Sequence, residues 1–256
     1  MGFILIAAAV ILIGGMGAWY AHARMGRIEL VKDTYCPVAG PSSITTVVID
    51  RTDKLAPVQR SLLEARFEEV RKAIPKFGLL EVYTIGPVET DVLKPTFSLC
   101  NPGDGSDLSE VDANPARVRK KWEKGFDQPL RDVLDHLLTS DEAAASPIME
   151  SIQSVAATAF AKHIDGSKTL ILVSDLLQFS PNLNQYKNPI AFTDFRKAAG
   201  YRKVKADLSG VDVRLFYVRR ETGKGVQGAK HIEFWQEYFS DQGAVVSNIL
   251  PLYGDV

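Results

Sequence analysis

Three short strings in this chain set oxygen-bearing side chains where an apolar run stops or a helix begins. Asp50-Arg51-Thr52-Asp53-Lys54 follows the β-branched run Thr45 to Ile49, and Ser174-Asp175 closes the apolar run Lys168 to Val173. Between them lies Ser146-Pro147-Ile148-Met149-Glu150-Ser151-Ile152. Carboxylates and hydroxyls are hard oxygen donors, the ligand type that Mg²⁺ takes, with Mn²⁺ as its usual substitute. Each string also has a plainer use. Asp53 suits the N-cap of the next helix, and Ser146 suits an N-cap with Pro147 at the first helical position and Glu150 soon after. Two buried strands that both end in an acid are harder to dismiss than one.

The elements that must position these residues alternate along the chain. Val47, Val48 and Ile49 suit a strand buried on both faces, as in a parallel sheet, and ligand sites of open α/β sheets lie at the carboxyl ends of such strands. Leu63, Phe67, Val70 and Ile74 recur at spacings of four, three and four, which is one helical face. Leu79 to Ile85 reads as a second strand. A third, about Thr96 to Cys100, follows too soon for a parallel crossover and must run antiparallel, at a sheet edge because Pro95 cannot donate to a ladder. Pro115 to Lys124 and then Phe126, Leu130, Val133 and Leu137 read as two helical patterns. After the strand at 168–175, residues Phe192 to Leu208 read as a basic helix, Val211 to Arg219 as a strand, Ile232 to Phe239 as the last helix and Ala244 to Ile249 as the last strand. The expected fold class is α/β: a doubly wound, mostly parallel sheet with one antiparallel edge strand.

Composition removes several functions. The formal net charge is −1 and no basic stripe is present, so nucleic acid is not an expected partner. Two cysteines, Cys36 and Cys100, are too few for a disulfide scaffold or thiolate zinc site, and His22, His136, His163 and His231 lack metal-ligand spacing. Gly223 to Gly228 matches G-x-G-x-x-G but lies near the C-terminus, without the following acid-bearing strand, so no nucleotide cofactor is expected. The polar loop Asn101 to Asp107 lacks the order of a calcium loop. No S-x-x-K, G-x-S-x-G or P-loop motif is present.

Phe3 to Ala21 is an uncharged stretch of 19 residues ending in Trp19-Tyr20, the pattern of a retained single-pass membrane anchor with an interfacial aromatic pair. Residues 24–43, with Pro37, Gly40, Pro41, Ser42 and Ser43, read as a juxtamembrane tether, and residues 44–256 as the folded domain. Arg24, Arg27 and Lys32 follow the anchor with nothing basic before it, which favours a cytoplasmic domain. A Cys36–Cys100 disulfide would argue for an oxidising compartment instead. The pairing is geometrically conceivable, since the antiparallel third strand brings Cys100 to the end of the sheet where the first strand starts.

An apolar strand ending D-x-T, a later S-P-x-x-E helix start and an apolar strand ending S-D together resemble von Willebrand factor A-like domains, over most of residues 44–250. The resemblance implies a metal-ion-dependent adhesion site formed by three loops at the top of the sheet. It implies Asp50 and Thr52 as first-loop ligands, Ser146 as the second-loop hydroxyl and Asp175 as the third-loop acid, with Asp53, Lys54 and Ser174 as auxiliary positions. The family's first loop is D-x-S-x-S, and Lys54 departs from it: an ammonium cannot ligate a cation and opposes one nearby. Either Lys54 points to solvent, or Asp53 replaces it, or the lysine itself neutralises Asp50 and Asp175. Three functions follow. One is a membrane-anchored protein-binding module holding Mg²⁺ for a partner's carboxylate, and another is a structural subunit with a degenerate site. The third, a metal-assisted phosphohydrolase, is disfavoured because Thr52 stands where D-x-D chemistry needs its second acid.

Overall fold

The computed structural model describes residues 2–3, 6, 10–17, 28–52, 54–86, 92–108, 114–137, 145–161, 164–187, 190–221 and 223–254. Asp53 lies outside the described residues, as do parts of the apolar stretch 3–21 and residues 24–27 of the tether. Residues 10–17 of the apolar stretch are helical, with Ile11, Leu12 and Ile13 exposed. Among the described residues no helix is long and apolar enough to cross a membrane.

Six strands form one sheet in the order β3-β2-β1-β4-β5-β6. They are β1 (Ile44–Asp50), β2 (Leu79–Ile85), β3 (Phe97–Cys100), β4 (Lys168–Ser174), β5 (Val211–Val218) and β6 (Val245–Leu252). Every neighbouring pair is parallel except β2–β3, which is antiparallel as the short connection requires. The architecture is α/β, mostly parallel with one antiparallel edge strand.

Alternation along β1 divides the core. Val47 and Ile49 face α1 (Pro57–Ala73), whose Leu63 and Phe67 are buried, and also meet Phe126 and Leu130. Ile44 and Val48 face the other layer, with Ile148 and Ile152 of α4 (Ile148–Val155) and Trp235 and Tyr238 of α7 (Ala229–Asp241). Between β3 and α4, the two helical patterns join: α2 (Pro115–Trp122) continues through a π-helical turn at Glu123–Asp127 into α3 (Gln128–Leu137).

The basic segment 192–208 is not one helix. It forms α5 (Phe192–Phe195) and α6 (Ala199–Lys203). The aromatic rings explain the break. Phe192 and Phe195 both lie against Tyr201, at 5.9 and 5.8 Å between ring centroids. On one straight helix at roughly 100° per residue, Phe192 and Tyr201 would stand on opposite sides. The chain bends between them so that all three rings reach the same cluster as Phe234.

The two outer edges of the sheet differ. Of the described part of the expected tether, 28–43, residues 28–40 form a small hairpin closed by a Leu30–Pro37 bridge. It caps β3: the Cys100 amide donates to the Thr34 carbonyl at 2.8 Å, and Cys36 and Cys100 are disulfide-bonded with Cα atoms 4.9 Å apart. Tyr35, with φ of 57°, reaches the π-helical turn where a Cβ on Gly125 would meet its hydroxyl at 2.7 Å. A larger residue there would push the Tyr35 ring aside. β6 ends the sheet on the other side, eight residues without a charge and mostly half-exposed or exposed.

Candidate functional site

The carboxyl ends of β1, β4 and β5 meet in one polar rim. Ile49 pairs with Val173 across β1 and β4, which brings Asp50 and Ser174 to the same height at the strand ends. Asp50 is its centre. Its Oδ1 accepts from the Thr52 hydroxyl at 2.7 Å and the Thr52 amide at 3.0 Å. Its Oδ2 accepts from the Ser174 hydroxyl at 2.8 Å and the Ser146 hydroxyl at 3.0 Å. Four donors from three loops thus fill the acceptor sites of one ionised carboxylate. Asp50, Thr52, Ser146 and Ser174 are all buried.

The loop after β4 is shaped by its own side chains. The Ser174 hydroxyl accepts from the Leu176 amide at 2.8 Å, and Asp175 Oδ1 accepts from the Leu177 amide at 2.8 Å. Leu176 takes φ of 60°, a left-handed conformation that costs a non-glycine residue about 1–2 kcal/mol. Its carbonyl repays the turn by accepting from Trp235 Nε1 at 2.9 Å and from His231 Nε2 at 3.1 Å. His231 also takes the Tyr217 hydroxyl on Nδ1 at 2.8 Å, so each ring nitrogen has a partner in the neutral form. Burial first, with the Arg219 charge adding to it, pushes the imidazole down to about 4, against the pull of the Leu176 carbonyl.

Ser146 does not cap the helix as its sequence pattern predicts. Helix α4 starts at Ile148, with Pro147 in the cap position and no side-chain cap. Ser146 instead pairs as a two-way bridge with Phe179, its amide donating at 3.0 Å and its carbonyl accepting at 2.9 Å. Gln178 supplies the missing helix partner, its Oε1 accepting from the Met149 amide at 2.9 Å. Its amide nitrogen donates to Glu150 at 2.8 Å, and Ser180 and Asn182 donate to the same carboxylate at 2.7 and 2.8 Å. The second and third loops are therefore one hydrogen-bonded unit, and the Ser146 hydroxyl is left to Asp50. The N-cap expected of Asp53 falls on a residue outside the described set, and the α1 cap position is held by Ala56.

Asp175 is held by a different kind of partner. Its Oδ2 faces Arg220 Nε at 3.5 Å, with the two side chains 3% and 13% exposed. Arg220 Nη1 also donates to the Lys54 carbonyl. Gln227 reaches under this pair, donating to the Asp175 carbonyl at 2.9 Å and the Val218 carbonyl at 2.8 Å. Its Oε1 accepts from the Arg220 amide at 2.7 Å. Lys54 is exposed, and Arg220 is a cation that faces the third-loop acid. Sequence reasoning passed over Arg220 and Gln227, and took Gln178 only as the start of a polar segment beside the site. Gln227 sat inside a glycine-rich string that reads as a flexible loop, and only its 2% exposure marks it as part of the rim. Among the described residues no group of three or more His, Cys, Asp or Glu side chains is placed to hold a metal ion.

No protein-family model matches the chain, and no curated protein matches it. Among solved structures, it is similar to the conserved hypothetical protein BatB of Bacteroides thetaiotaomicron, at 11% identity and a TM-score of 0.42, over 83% of this chain and 91% of that one. An aerotolerance-related membrane protein of Bacteroides fragilis, carrying multiple mutations to serines, aligns at 10% identity and a TM-score of 0.38, over 82% and 90%. Human COPII-coat protein Sec24c aligns at 11% identity and a TM-score of 0.36, over 84% of this chain but 30% of that one. None of the three assigns a role to a residue of this chain.

Proposed function

We propose that the chain is a membrane-anchored, von Willebrand factor A-like protein-binding module whose rim is closed without a metal ion. One observation carries the metal-free part: both Asp50 oxygens are already taken by two donors each, while the second acid of the rim faces a guanidinium. Mg²⁺ demands near-octahedral oxygen ligands and one or two carboxylates. Here the residues do not fit it. Entry of the ion would set a dication beside Arg220, which already faces the second acid. Lys54, at the place of a family hydroxyl, offers no ligand in exchange.

The same burial argues against chemistry at this rim. A general acid or base must come within hydrogen-bond reach of its substrate, and Asp50 and Asp175 are buried and held by groups of the rim itself. What remains is a rigid, charged rim at the end of an α/β sheet, suited to holding a partner. Attachment through residues 3–21 belongs to this proposal. The Cys36–Cys100 bond supports placing the domain in an oxidising compartment, against the charge rule at the anchor.

Calorimetric titration of the detergent-solubilised full chain with Mg²⁺ and Mn²⁺ tests the metal-free rim. No saturable heat is expected from wild type or from Asp50→Ala. A saturable wild-type heat that disappears in Asp50→Ala overturns it. The binding role predicts a protein retained by the wild-type chain in EDTA and lost with Asp50→Ala, and equal retention by both counts against it.

A further inference from the structure

The hairpin at residues 28–40 is more than a spacer. Ile28, Leu30, Val31 and Val38 are exposed on it, Ile28 at 55% and Val38 at 64%. Clustered on so short a segment, they mark a contact surface. Tyr35 joins the hairpin to the turn after α2, at Gly125.

Helix α2 presents a complementary feature. Arg117, Lys120, Lys121 and Lys124 are exposed, and at roughly 100° per residue they share one sector of about 100°. Among the described residues none of these four side chains has a hydrogen-bond or ion-pair partner. The acids beside the lysines in sequence face other cations: Glu123 meets Arg119 at 3.5 Å, and Asp127 holds Arg71 and Arg131. Glu110 and Asp112, which precede the helix, lie outside the described residues, so the receiving residues are taken as the three lysines towards its other end. The inner side of α2 is pinned. Trp122 Nε1 donates to Asn101 Oδ1 at 2.8 Å, the Arg71 guanidinium lies 5.3 Å from the Trp122 ring centre, and a Cβ on Gly105 would meet Val118 at 3.0 Å. The helix therefore cannot roll to hide its cations. Expected to lack a basic stripe, the chain has a short one once Val118 and Trp122 turn inwards.

We infer that the lysine stripe of α2 rests on the anionic phospholipid headgroups of the bilayer that holds residues 3–21, with the apolar hairpin residues meeting the same interface. This depends on the membrane-anchored reading and adds which face of the domain meets the bilayer. Connection length supports it. Seven peptide links join Ala21 to Ile28, and an extended chain covers about 3.5 Å per residue, so the hairpin stays within about 25 Å of the apolar stretch. A soluble acidic protein or a nucleic acid is the poorer fit. Either would answer the lysines and leave the exposed apolar residues beside them unexplained, whereas a bilayer interface offers charge at the headgroups and hydrocarbon beneath. Lysine, a point charge on a flexible stem, also suits phosphates presented by a fluid surface.

Amine labelling read by mass spectrometry tests this on the full chain in nanodiscs of phosphatidylcholine, alone or with about one-third phosphatidylglycerol. Lys120, Lys121 and Lys124 should label about threefold more slowly in the anionic discs, and high salt should remove the difference. Lys187, in the loop after β4, should label alike in both. Lys120→Gln/Lys121→Gln changes only exposed side chains, so the melting temperature should hold while the protection of Lys124 is largely lost. Equal labelling of the three lysines in the two discs, or equal slowing of Lys187, overturns the inference. So does equal protection in phosphatidylcholine discs by soluble glycerol phosphate or hexa-aspartate, which reassigns the stripe to a free anion or an acidic protein. A chain that alkaline carbonate strips from membranes overturns the anchored reading and this inference with it. One that stays anchored with its lysines labelled alike removes the stripe alone.

Discussion

Asp50 and Asp175 end neighbouring strands at the same rim, yet they are neutralised by opposite means. Around Asp50, three hydroxyls and one amide share the load, none carrying a charge. At Asp175, the Arg220 guanidinium faces the carboxylate, with the Leu177 amide on its other oxygen. The first arrangement is divided among parts and degrades by steps. The second is a buried ion pair, costly to break from one side because the remaining charge is stranded. A rim assembled this way is a structural keystone at β1 and an electrostatic one at β4–β5.

The sharpest way to break the comparison is Arg220→Gln. It should lower the unfolding free energy by about 4 kcal/mol, the scale for stranding a buried charge, and adding Asp175→Asn should restore most of it. Chemical denaturation of both variants checks this, and an additive double variant would deny the pair. Asp50→Ala comes next, at about 3 kcal/mol, since several buried donors lose their acceptor together. Asp50→Asn should cost less, because its amide oxygen still accepts.

His231 probes the β4 side by pH. Its folded pKa is lowered to about 4 from an ordinary 6.5, so on acidification the unfolded chain takes the proton first. Its contribution is whole above about pH 6.5 and is lost as pH falls towards 4, amounting to at most about 3 kcal/mol for that shift. Melting curves of wild type and His231→Gln across this window should differ in slope, wild type being the steeper. The smallest effect is expected from Ser174→Ala, about 1 kcal/mol for one hydrogen bond among four. A loss equal to that of Asp50→Ala would mean that the donors act as a single unit.

Much of this architecture was readable in advance. The β-branched run at Val47 to Ile49, the four-three-four spacing from Leu63 and the short path into Thr96 to Cys100 depend on local periodicity and connection length, which a linear string contains. The family resemblance groups Asp50, Thr52, Ser146 and Asp175 at one rim, whereas in the structure Ser174, an auxiliary position in that reading, is the residue that joins Thr52 and Ser146 on Asp50. The role of Ser146 was half readable: S-P-x-x-E also describes a cap, and only the bridge to Phe179 decides against it. Arg220 was hidden for a different reason. It lies 45 positions beyond Asp175, just past the end of β5, whose neighbour is set by sheet order, and nothing near it in sequence marks it. Lys54 drew attention as the departure from a pattern, while Arg220, which faces Asp175, comes from elsewhere in the chain.

The covalent link at the far edge of the sheet has a mechanical consequence. Whatever residues before 28 are attached to, tension from that side is delivered through Cys36 into the end of β3 and does not run on to peel β1 from the middle of the sheet. Reduction would lengthen the leash and hand the load to the central strand, whose far end is Asp50. A thiol reagent would then loosen the rim without touching it.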